Sequence, residues 1–292
     1  MDSWRDLKVN NLDEAKVVIA SVAYDLSASV GLGASTAPKK LRELSYHLPA
    51  ATKDGKSIKD LKIYDLLDLA DNESGLSGLY EKAADVFKLG KFPIFIGGDH
   101  SVSIPLQTAF YYYAKSLGKI PAIIHIDAHP DFCDIYDGSK FSHACTNFRA
   151  YEEGYKLEDI VLIGIRGYEE QEIELFSKHP ELSIINASMI NEDNFNVLEL
   201  LKNKLDDKYL IYLSFDIDAI DPSFAPGTGT PETFGLTPTY VNKLINNIIS
   251  TLPVGAWDIV EISPALDIND ITSWTALKIM YEVFYTLNNK LK

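Results

Sequence analysis

The sequence predicts a three-layer α/β/α sandwich with a mainly parallel sheet of about eight strands. Apolar, β-branched runs alternate with helix-length segments along nearly all of the 292 residues, and several runs lack the polar alternation of a half-exposed strand. Strands buried on both faces are typical of a parallel sheet that helices cover on each side. A closed β/α barrel would show the same alternation. No linker rich in proline, glycine or serine divides the chain, so we expect one domain over residues 1–292.

The predicted elements follow one another in a regular order. Strands are expected at Val17–Ala23, Leu61–Tyr64, Pro93–Gly97, Ala122–Asp127, Ile160–Ile165, Leu182–Asn186, Tyr209–Phe215 and Trp257–Ile262. Helices are expected at Leu79–Leu89, Val102–Leu117, Glu170–Ser177, Val197–Leu205, Pro238–Ile249 and Thr272–Leu287. Thr237 before Pro238 predicts a helix start, with an N-cap followed by proline at the first helical position.

The composition limits the kinds of partner. The formal net charge of -15 argues against nucleic acid and anionic membrane surfaces, and is compatible with a cationic substrate. The N-terminal segment 1–10 is polar and unlike a signal peptide, and no apolar run approaches the ~20 residues of a membrane span. The only cysteines, Cys133 and Cys145, are expected to be free thiols in a cytoplasmic protein, with a disulfide as the alternative.

Three short segments place potential metal ligands directly after apolar runs. They are Gly98–Ser101, His125–Asp131 and Phe215–Pro222. Alternate residues of an extended chain point the same way, so Asp127, His129 and Asp131 are expected on one side. Both candidate architectures bind ligands beyond the carboxyl ends of the strands, where these segments lie.

The same segments predict a dinuclear metal site. Converging imidazoles and carboxylates are poor core material, because buried unpaired charge is very costly. Four aspartate charges would balance two divalent cations, and a set of two nitrogens and four carboxylates suits manganese better than a thiolate-rich zinc site. Zinc, cobalt and iron remain alternatives. For any single aspartate beside proline or glycine, such as Asp99 or Asp221, turn capping is the commoner role.

Taken together, the motifs resemble those of the arginase/agmatinase (ureohydrolase) family. The resemblance runs from about Val17 to the C-terminal helix, and its motifs are Gly97–Ser101, Asp127–Asp131, Ser214–Pro222, Gly227–Pro231 and Glu261–Pro264. The segments Ser21–Asp25 and Gly31–Pro38 match the family less closely. The resemblance implies the sandwich rather than the barrel, two Mn²⁺ ions per subunit, and homo-oligomers that are trimers or hexamers.

The resemblance also implies a role for each candidate ligand. His100 and Asp131 would bind one manganese ion, His129 and Asp218 the other, and Asp127 and Asp216 would bridge both. Of the remaining residues, Asp99 and Asp221 would either support the ligands without binding metal or lie in turns. His125 would be a packed and hydrogen-bonded histidine, and His47 and His179 ordinary structural residues.

The reaction follows from the same resemblance. In a ureohydrolase, a hydroxide that bridges two metal ions attacks the guanidinium carbon, and the intermediate collapses to urea and an amine. The leaving nitrogen must be protonated, and His143 is the candidate proton carrier because the loop Tyr136–His143 resembles the agmatinase type. Glu261 would pair with the planar guanidinium and orient it.

Agmatine, cleaved to urea and putrescine, is the predicted substrate. The segment Phe132–Asp137 resembles agmatinases, and Asp134 and Asp137 would suit the far ammonium of a dication. Guanidinobutyrate, guanidinopropionate, arginine and formimidoylglutamate are the alternative substrates. Two other classes are a metal-stabilised binding protein without activity and a dinuclear phosphoesterase, which the lack of an arginine cluster or a glycine-rich phosphate cradle disfavours.

Overall fold

Eight parallel strands form a single sheet at the centre of the computed structural model, which describes residues 3–192 and 195–291. The strands are β1 Val17–Ala23, β2 Ile63–Asp71, β3 Phe92–Ile96, β4 Ile120–Ile126, β5 Ile160–Ile165, β6 Ser183–Asn186, β7 Tyr209–Asp216 and β8 Val254–Val260. Their spatial order is β2-β1-β3-β8-β7-β4-β5-β6, and every neighbouring pair is parallel. The sheet is open, with β2 and β6 at its edges, so the sandwich is confirmed and the barrel is wrong.

Helices cover both faces of this sheet. They are α1 Ala37–Ser45, α2 Leu79–Phe87, α3 Ser103–Ser116, α4 Thr146–Glu153, α5 Glu170–Lys178, α6 Ala187–Asn191, α7 Val197–Lys204, α8 Pro238–Thr251 and α9 Ile271–Lys290. The expected start of α8 is present, since the Thr237 side chain accepts a hydrogen bond from the Tyr240 backbone N–H. In the described parts of the chain, none of the helices is long and apolar enough to cross a membrane.

Alternate residues of each central strand enter different cores. Val17 and Ile19 pack with α1, α8 and α9, whereas Val18 and Ala20 pack with α2 and α3 on the other face. Both sets are fully buried. A strand that buries both faces needs apolar residues at consecutive positions, which explains the continuous apolar runs in the sequence.

Two strands differ from their predicted bounds by three residues or more at one end, and the others agree to within two residues. The second strand was predicted to end at Tyr64 but continues to Asp71, because backbone pairing with β1 extends it through a polar stretch. Within that stretch, Asp65 pairs with the buried guanidinium of Arg42 at 2.8 Å. The last strand begins earlier and ends earlier than predicted, at Val260, because Glu261 turns the chain with a φ of 61°.

Helix α4 was not predicted. Its buried residues are mainly polar, and they include Asn147 and Arg149. The Asn147 amide donates to the Pro130 carbonyl at 2.8 Å, and Arg149 donates to Asp134. This helix is therefore held by hydrogen bonds to the loop that follows β4, and such bonds leave no apolar periodicity in the sequence.

Candidate metal centre

The carboxyl ends of four adjacent strands bring the predicted motifs together. In the order β3-β8-β7-β4, these strands lead to His100, Glu261, Asp216 and Asp127. The turn after β3 requires glycine at position 98, because an added Cβ would lie only 1.7 Å from the Tyr24 carbonyl oxygen. The sheet topology thus brings residues that are far apart in sequence together at the carboxyl ends of the central strands.

One ligand group surrounds His100. Its Nδ1 lies 3.0 Å from Asp127 Oδ2, 3.0 Å from Asp131 Oδ2 and 3.3 Å from Asp216 Oδ2. All four side chains are buried. Asp131 has a positive φ of 53°, a conformation that is uncommon for residues other than glycine and that occurs at functional sites.

A second group lies around His129 and shares Asp127 with the first. His129 Nδ1 is 3.1 Å from Asp218 Oδ2 and 3.6 Å from Asp127 Oδ1. Asp127 therefore directs one carboxylate oxygen towards each group. The turn that follows β7 holds Asp218 in place, since its backbone N–H donates to the Asp216 carboxylate at 2.8 Å.

His125 lies next to these groups but has the geometry of a hydrogen-bonded residue. Its Nε2 is 3.1 Å from the backbone oxygen of His129, which can only accept, so this nitrogen carries a proton. The ring stacks on that of His100 with 4.8 Å between the centroids. Nε2 is also the nitrogen that faces the cluster, 2.9 Å from Asp127 Oδ2, and a protonated nitrogen cannot bind a metal, so His125 orients Asp127 through this side of its ring.

The free polar atoms of this cluster fit a bound cation. Among the described residues, the buried atoms without a hydrogen-bond partner include His100 Nδ1, Asp127 Oδ2 and Asp131 Oδ2. Leaving a buried polar group unsatisfied costs about 1–3 kcal/mol, and more for a charged one. A divalent cation in contact with these atoms would remove that cost, and their oxygen-rich character matches a hard metal.

The pKa values of the candidate ligands also fit a bound cation. Burial and the charges of Asp218 and Asp127 raise the pKa of Asp216 well above its ordinary value. Burial and Asp127 likewise raise the pKa of Asp218. Several carboxylates confined in one buried space repel one another, and a cation between them would relieve that repulsion.

His143 and Glu261 lie together beside the first group. His143 Nδ1 is 3.6 Å from Glu261 Oε1, and the same oxygen accepts a hydrogen bond from the His100 backbone N–H at 2.7 Å. On the other side of the imidazole ring, Nε2 lies 3.0 Å from Ser29 Oγ. Burial lowers the pKa of His143, but the hydrogen bond and charge of Glu261 outweigh it and raise the pKa to about 9.

A cavity of about 350 Å³ opens onto these residues. His100, His129, Asp131, His143, Asp216 and Asp218 line it, together with Ser29 and three glutamates, Glu169, Glu172 and Glu232. Among the described residues that line this cavity, none is lysine or arginine. The cavity is therefore acidic both at the ligand cluster and at its rim.

Comparison with known proteins agrees with this arrangement. The sequence model of the arginase family matches residues 15–285. The chain belongs to the arginase family. This membership confirms the predicted family and, with it, a hydrolase of the ureohydrolase class.

Individual relatives of this arginase-family chain are similar over almost their whole length. An agmatinase of Photorhabdus laumondii is 32% identical over 287 residues, which cover 95% of this chain and 89% of that protein. The solved structure of the agmatine ureohydrolase of Thermoplasma volcanium covers 99% of this chain and 95% of its own, with a TM-score of 0.85 and 30% identity. An arginase from Medicago truncatula is similar with a TM-score of 0.73 and 26% identity, over 94% of this chain and 88% of its own.

Two aspartates flanking the ligand motifs of the arginase-family chain have structural contacts. Asp99 accepts hydrogen bonds from the backbone N–H groups of Ser27 and Ser101, at 2.8 and 3.0 Å. Asp221 accepts from Ser223 at 3.0 Å and from Gly235 at 2.9 Å. Both contact patterns are those of turn-capping residues.

The expected role of Asp134 and Asp137 in holding a distant ammonium is not supported by the structure. Neither residue lines the cavity. Asp134 pairs with Arg149 at 2.5 Å and with Lys140 at 3.6 Å, so its charge is compensated on the protein surface. Cys133 and Cys145, which flank this loop, are free and buried.

Sequence reasoning missed the acidic rim and Ser29. Glu169 and Glu172 follow the carboxyl end of β5, which is a position where side chains reach a ligand in such sheets. An acidic run in that position was the signal that could have been used. Ser29 left no such signal, because its contact with His143 joins two loops that are 114 residues apart in sequence.

Proposed function

We propose that this arginase-family chain is a binuclear manganese hydrolase that cleaves agmatine to urea and putrescine. The observation that carries the proposal is the pair of ligand groups that share Asp127 at the base of an acidic cavity. In this proposal, His100 and Asp131 would help to hold one ion and His129 and Asp218 the other, while Asp127 and Asp216 would serve both. When bound, a pair of divalent cations lowers the pKa of water and supplies hydroxide near neutral pH.

The protein's own residues then orient the substrate. Glu261 lies directly behind His143, which lines the cavity, and would offer its carboxylate to the guanidinium there. Its Oε1 is held by the His100 backbone N–H at 2.7 Å. Ionic hydrogen bonds between a carboxylate and a planar guanidinium fix the orientation of the guanidinium. The side chain of Glu261 is 5% exposed, so such a contact would form away from bulk water and be strengthened.

His143 is proposed to carry the proton to the leaving nitrogen. Its Nδ1 faces Glu261, which would bind the guanidinium. A proton on Nδ1 would therefore lie next to the leaving nitrogen of the substrate, which must accept it. Ser29 holds the opposite nitrogen at 3.0 Å and keeps the ring directed into the cavity. In the metal-free protein, Glu261 raises the pKa of His143 to about 9, so the ring is protonated at neutral pH, as a general acid requires.

The rim of the cavity favours agmatine over a guanidino acid. Glu169 and Glu232 line the cavity and are at least partly exposed, so both can face the free end of an extended substrate. A terminal ammonium would be attracted to these charges. A terminal carboxylate would be repelled, and the described residues of the lining offer it no lysine or arginine as a partner.

We therefore expect Mn²⁺-loaded protein to release urea from agmatine with a higher kcat/KM than from guanidinobutyrate, guanidinopropionate or arginine. Removing a rim charge in Glu169→Gln or Glu232→Gln should lower kcat/KM for agmatine about 3- to 10-fold, since exposed ionic contacts are worth roughly 1 kcal/mol. The loss should appear mainly in KM, because the ammonium is remote from the bond that breaks.

Glu170→Gln is the matched control, because Glu170 neighbours Glu169 but does not line the cavity. It should leave kcat/KM unchanged. Equal urea release from agmatine and guanidinobutyrate would contradict agmatine as the substrate. If none of the four compounds yields urea, a ureohydrolase acting on any of them is excluded.

Glu261→Gln should impair the reaction without loss of metal. Glutamine keeps an oxygen for the His100 N–H but removes the charge, so kcat/KM should fall about 10- to 100-fold, as expected for one charge-assisted hydrogen bond. The pKa of His143 should also fall below about 9, because burial favours the neutral ring and the opposing carboxylate is gone. Histidine NMR titration of the metal-free protein measures this shift. A pKa that stays near 9 would contradict the assigned contact.

A further inference from the structure

A buried chain of two hydrogen bonds leads away from the candidate ligand His100. His100 Nε2 lies 2.9 Å from Ser214 Oγ, and the Ser214 hydroxyl donates to Asp258 Oδ1 at 2.7 Å. Ser214 and Asp258 are direct neighbours in the register of β7 and β8, and both are completely buried. The chain therefore connects one ligand to the interior of the sheet.

The contacts of Asp258 determine the direction of these hydrogen bonds. Its carboxylate also accepts from the hydroxyls of Tyr212 and Ser103, at 2.7 and 2.6 Å, and from the Phe215 N–H at 3.3 Å. The Asp258 carboxylate can only accept, so the Ser214 hydroxyl donates its hydrogen bond to Asp258. The Ser214 oxygen then presents a lone pair to His100, so Nε2 is the nitrogen that donates.

This direction leaves Nδ1 as the nitrogen available to a cation. Nδ1 is the atom that lies among Asp127, Asp131 and Asp216, and it has no hydrogen-bond partner among the described residues. Metal-binding histidines generally use their second nitrogen to bind a group that fixes the orientation and tautomer of the ring.

His129 lacks an equivalent support. Its Nε2 lies 3.9 Å from Glu232 Oε1, beyond hydrogen-bonding distance, and Glu232 is 43% exposed. His100, by contrast, is held by two fully buried residues in the middle of the sheet. The two sides of the proposed centre are therefore unequal, and the difference can be tested separately for each ion.

We propose that Ser214 and Asp258 are positioning residues that orient His100 and thereby decide whether the ion on the His100 side is retained. The inference rests on the proposed binuclear function. Neither residue contacts the cavity, so neither is assigned a part in the chemistry. The ion on the His129 side does not depend on them.

The test is the manganese content of Ser214→Ala, measured per subunit after equilibration with increasing Mn²⁺ concentrations. The wild-type protein is expected to bind two ions. At the Mn²⁺ concentration that saturates the wild type, Ser214→Ala should retain one, with the affinity for the other weakened about 10- to 100-fold. Electron paramagnetic resonance should change from the signal of a coupled pair to that of an isolated Mn²⁺ ion.

Tyr212→Phe and Ser103→Ala are the matched controls. Each removes one hydrogen bond to the same carboxylate and leaves the connection to His100 intact. Both should lower the unfolding midpoint of the metal-free protein but still bind two ions. Retained tight binding of two ions by Ser214→Ala would overturn the proposal, and so would equal metal loss in all three variants.

The wild-type measurement separates this inference from the proposed function. Two ions in the wild type and two in Ser214→Ala would refute the positioning role alone. Fewer than two ions in the wild type at saturation would refute the binuclear centre itself and the unequal support inferred for its two sides.

Discussion

Asp127→Ala is expected to abolish urea release, with a loss of roughly 10³-fold or more, because acid–base and metal contributions are each worth several orders of magnitude. Asp127 is the residue that the two ligand groups share, with one oxygen 3.0 Å from His100 Nδ1 and the other 3.6 Å from His129 Nδ1. Removing it deprives both groups of a ligand. The manganese content should therefore fall well below that of the wild type, as measured by metal analysis after dialysis.

Asp221→Ala is the control for this variant. Asp221 also follows β7, but its carboxylate accepts hydrogen bonds from Ser223 and Gly235 and belongs to neither ligand group. Its loss should destabilise the protein by about 1 kcal/mol and leave the manganese content unchanged. If Asp127→Ala retained normal manganese, the proposed role of Asp127 would be wrong. Circular dichroism of the metal-free variant shows whether a loss of manganese comes from unfolding instead.

His143→Ala is expected to lower kcat about 10²- to 10⁴-fold while both manganese ions stay bound. The ring contacts Glu261 and Ser29 and belongs to neither ligand group, so its removal leaves the metal ligands intact. Steady-state kinetics and metal analysis of the same preparation measure the two effects. An unchanged kcat would remove His143 from the proposed reaction.

Two further variants show whether the effect is specific. His179→Ala removes a histidine that pairs with Glu181 at 2.9 Å, outside the cavity, and should leave kcat unchanged. Ser29→Ala keeps the imidazole but removes one hydrogen bond to it, so we expect a smaller loss of kcat, about 3- to 10-fold.

Much of the fold could be predicted because its signal is local. The central strands are continuous apolar runs, and α8 begins where Thr237 and Pro238 indicated. Helices and strands were predicted less well where tertiary contacts, and not a pattern of apolar residues, stabilise them. Strand β2 continues through aspartates because it pairs with β1, and α4 buries polar side chains that hydrogen-bond to neighbouring loops.

The residue types and their spacing are sufficient to predict the chemistry of the candidate site and its position in the fold. Asp127, His129 and Asp131 alternate along one segment directly after an apolar run, and this spacing is enough to indicate ligands at a strand end. Which acidic side chains face the cavity depends on how the loops pack around it. Asp134 is compensated by Arg149, whereas Glu169 caps α5 at the rim and has no cationic partner among the described residues.

The tertiary structure also decided how the site is supported. Ser214 meets Asp258 because β7 and β8 are neighbours in register, and Ser29 meets His143 because two distant loops close over the cavity. Whether a side chain can bind a metal depends on its chemical type, which can be read from the sequence. The partners of that side chain depend on strand order and loop packing, which arise only when the whole sheet is assembled.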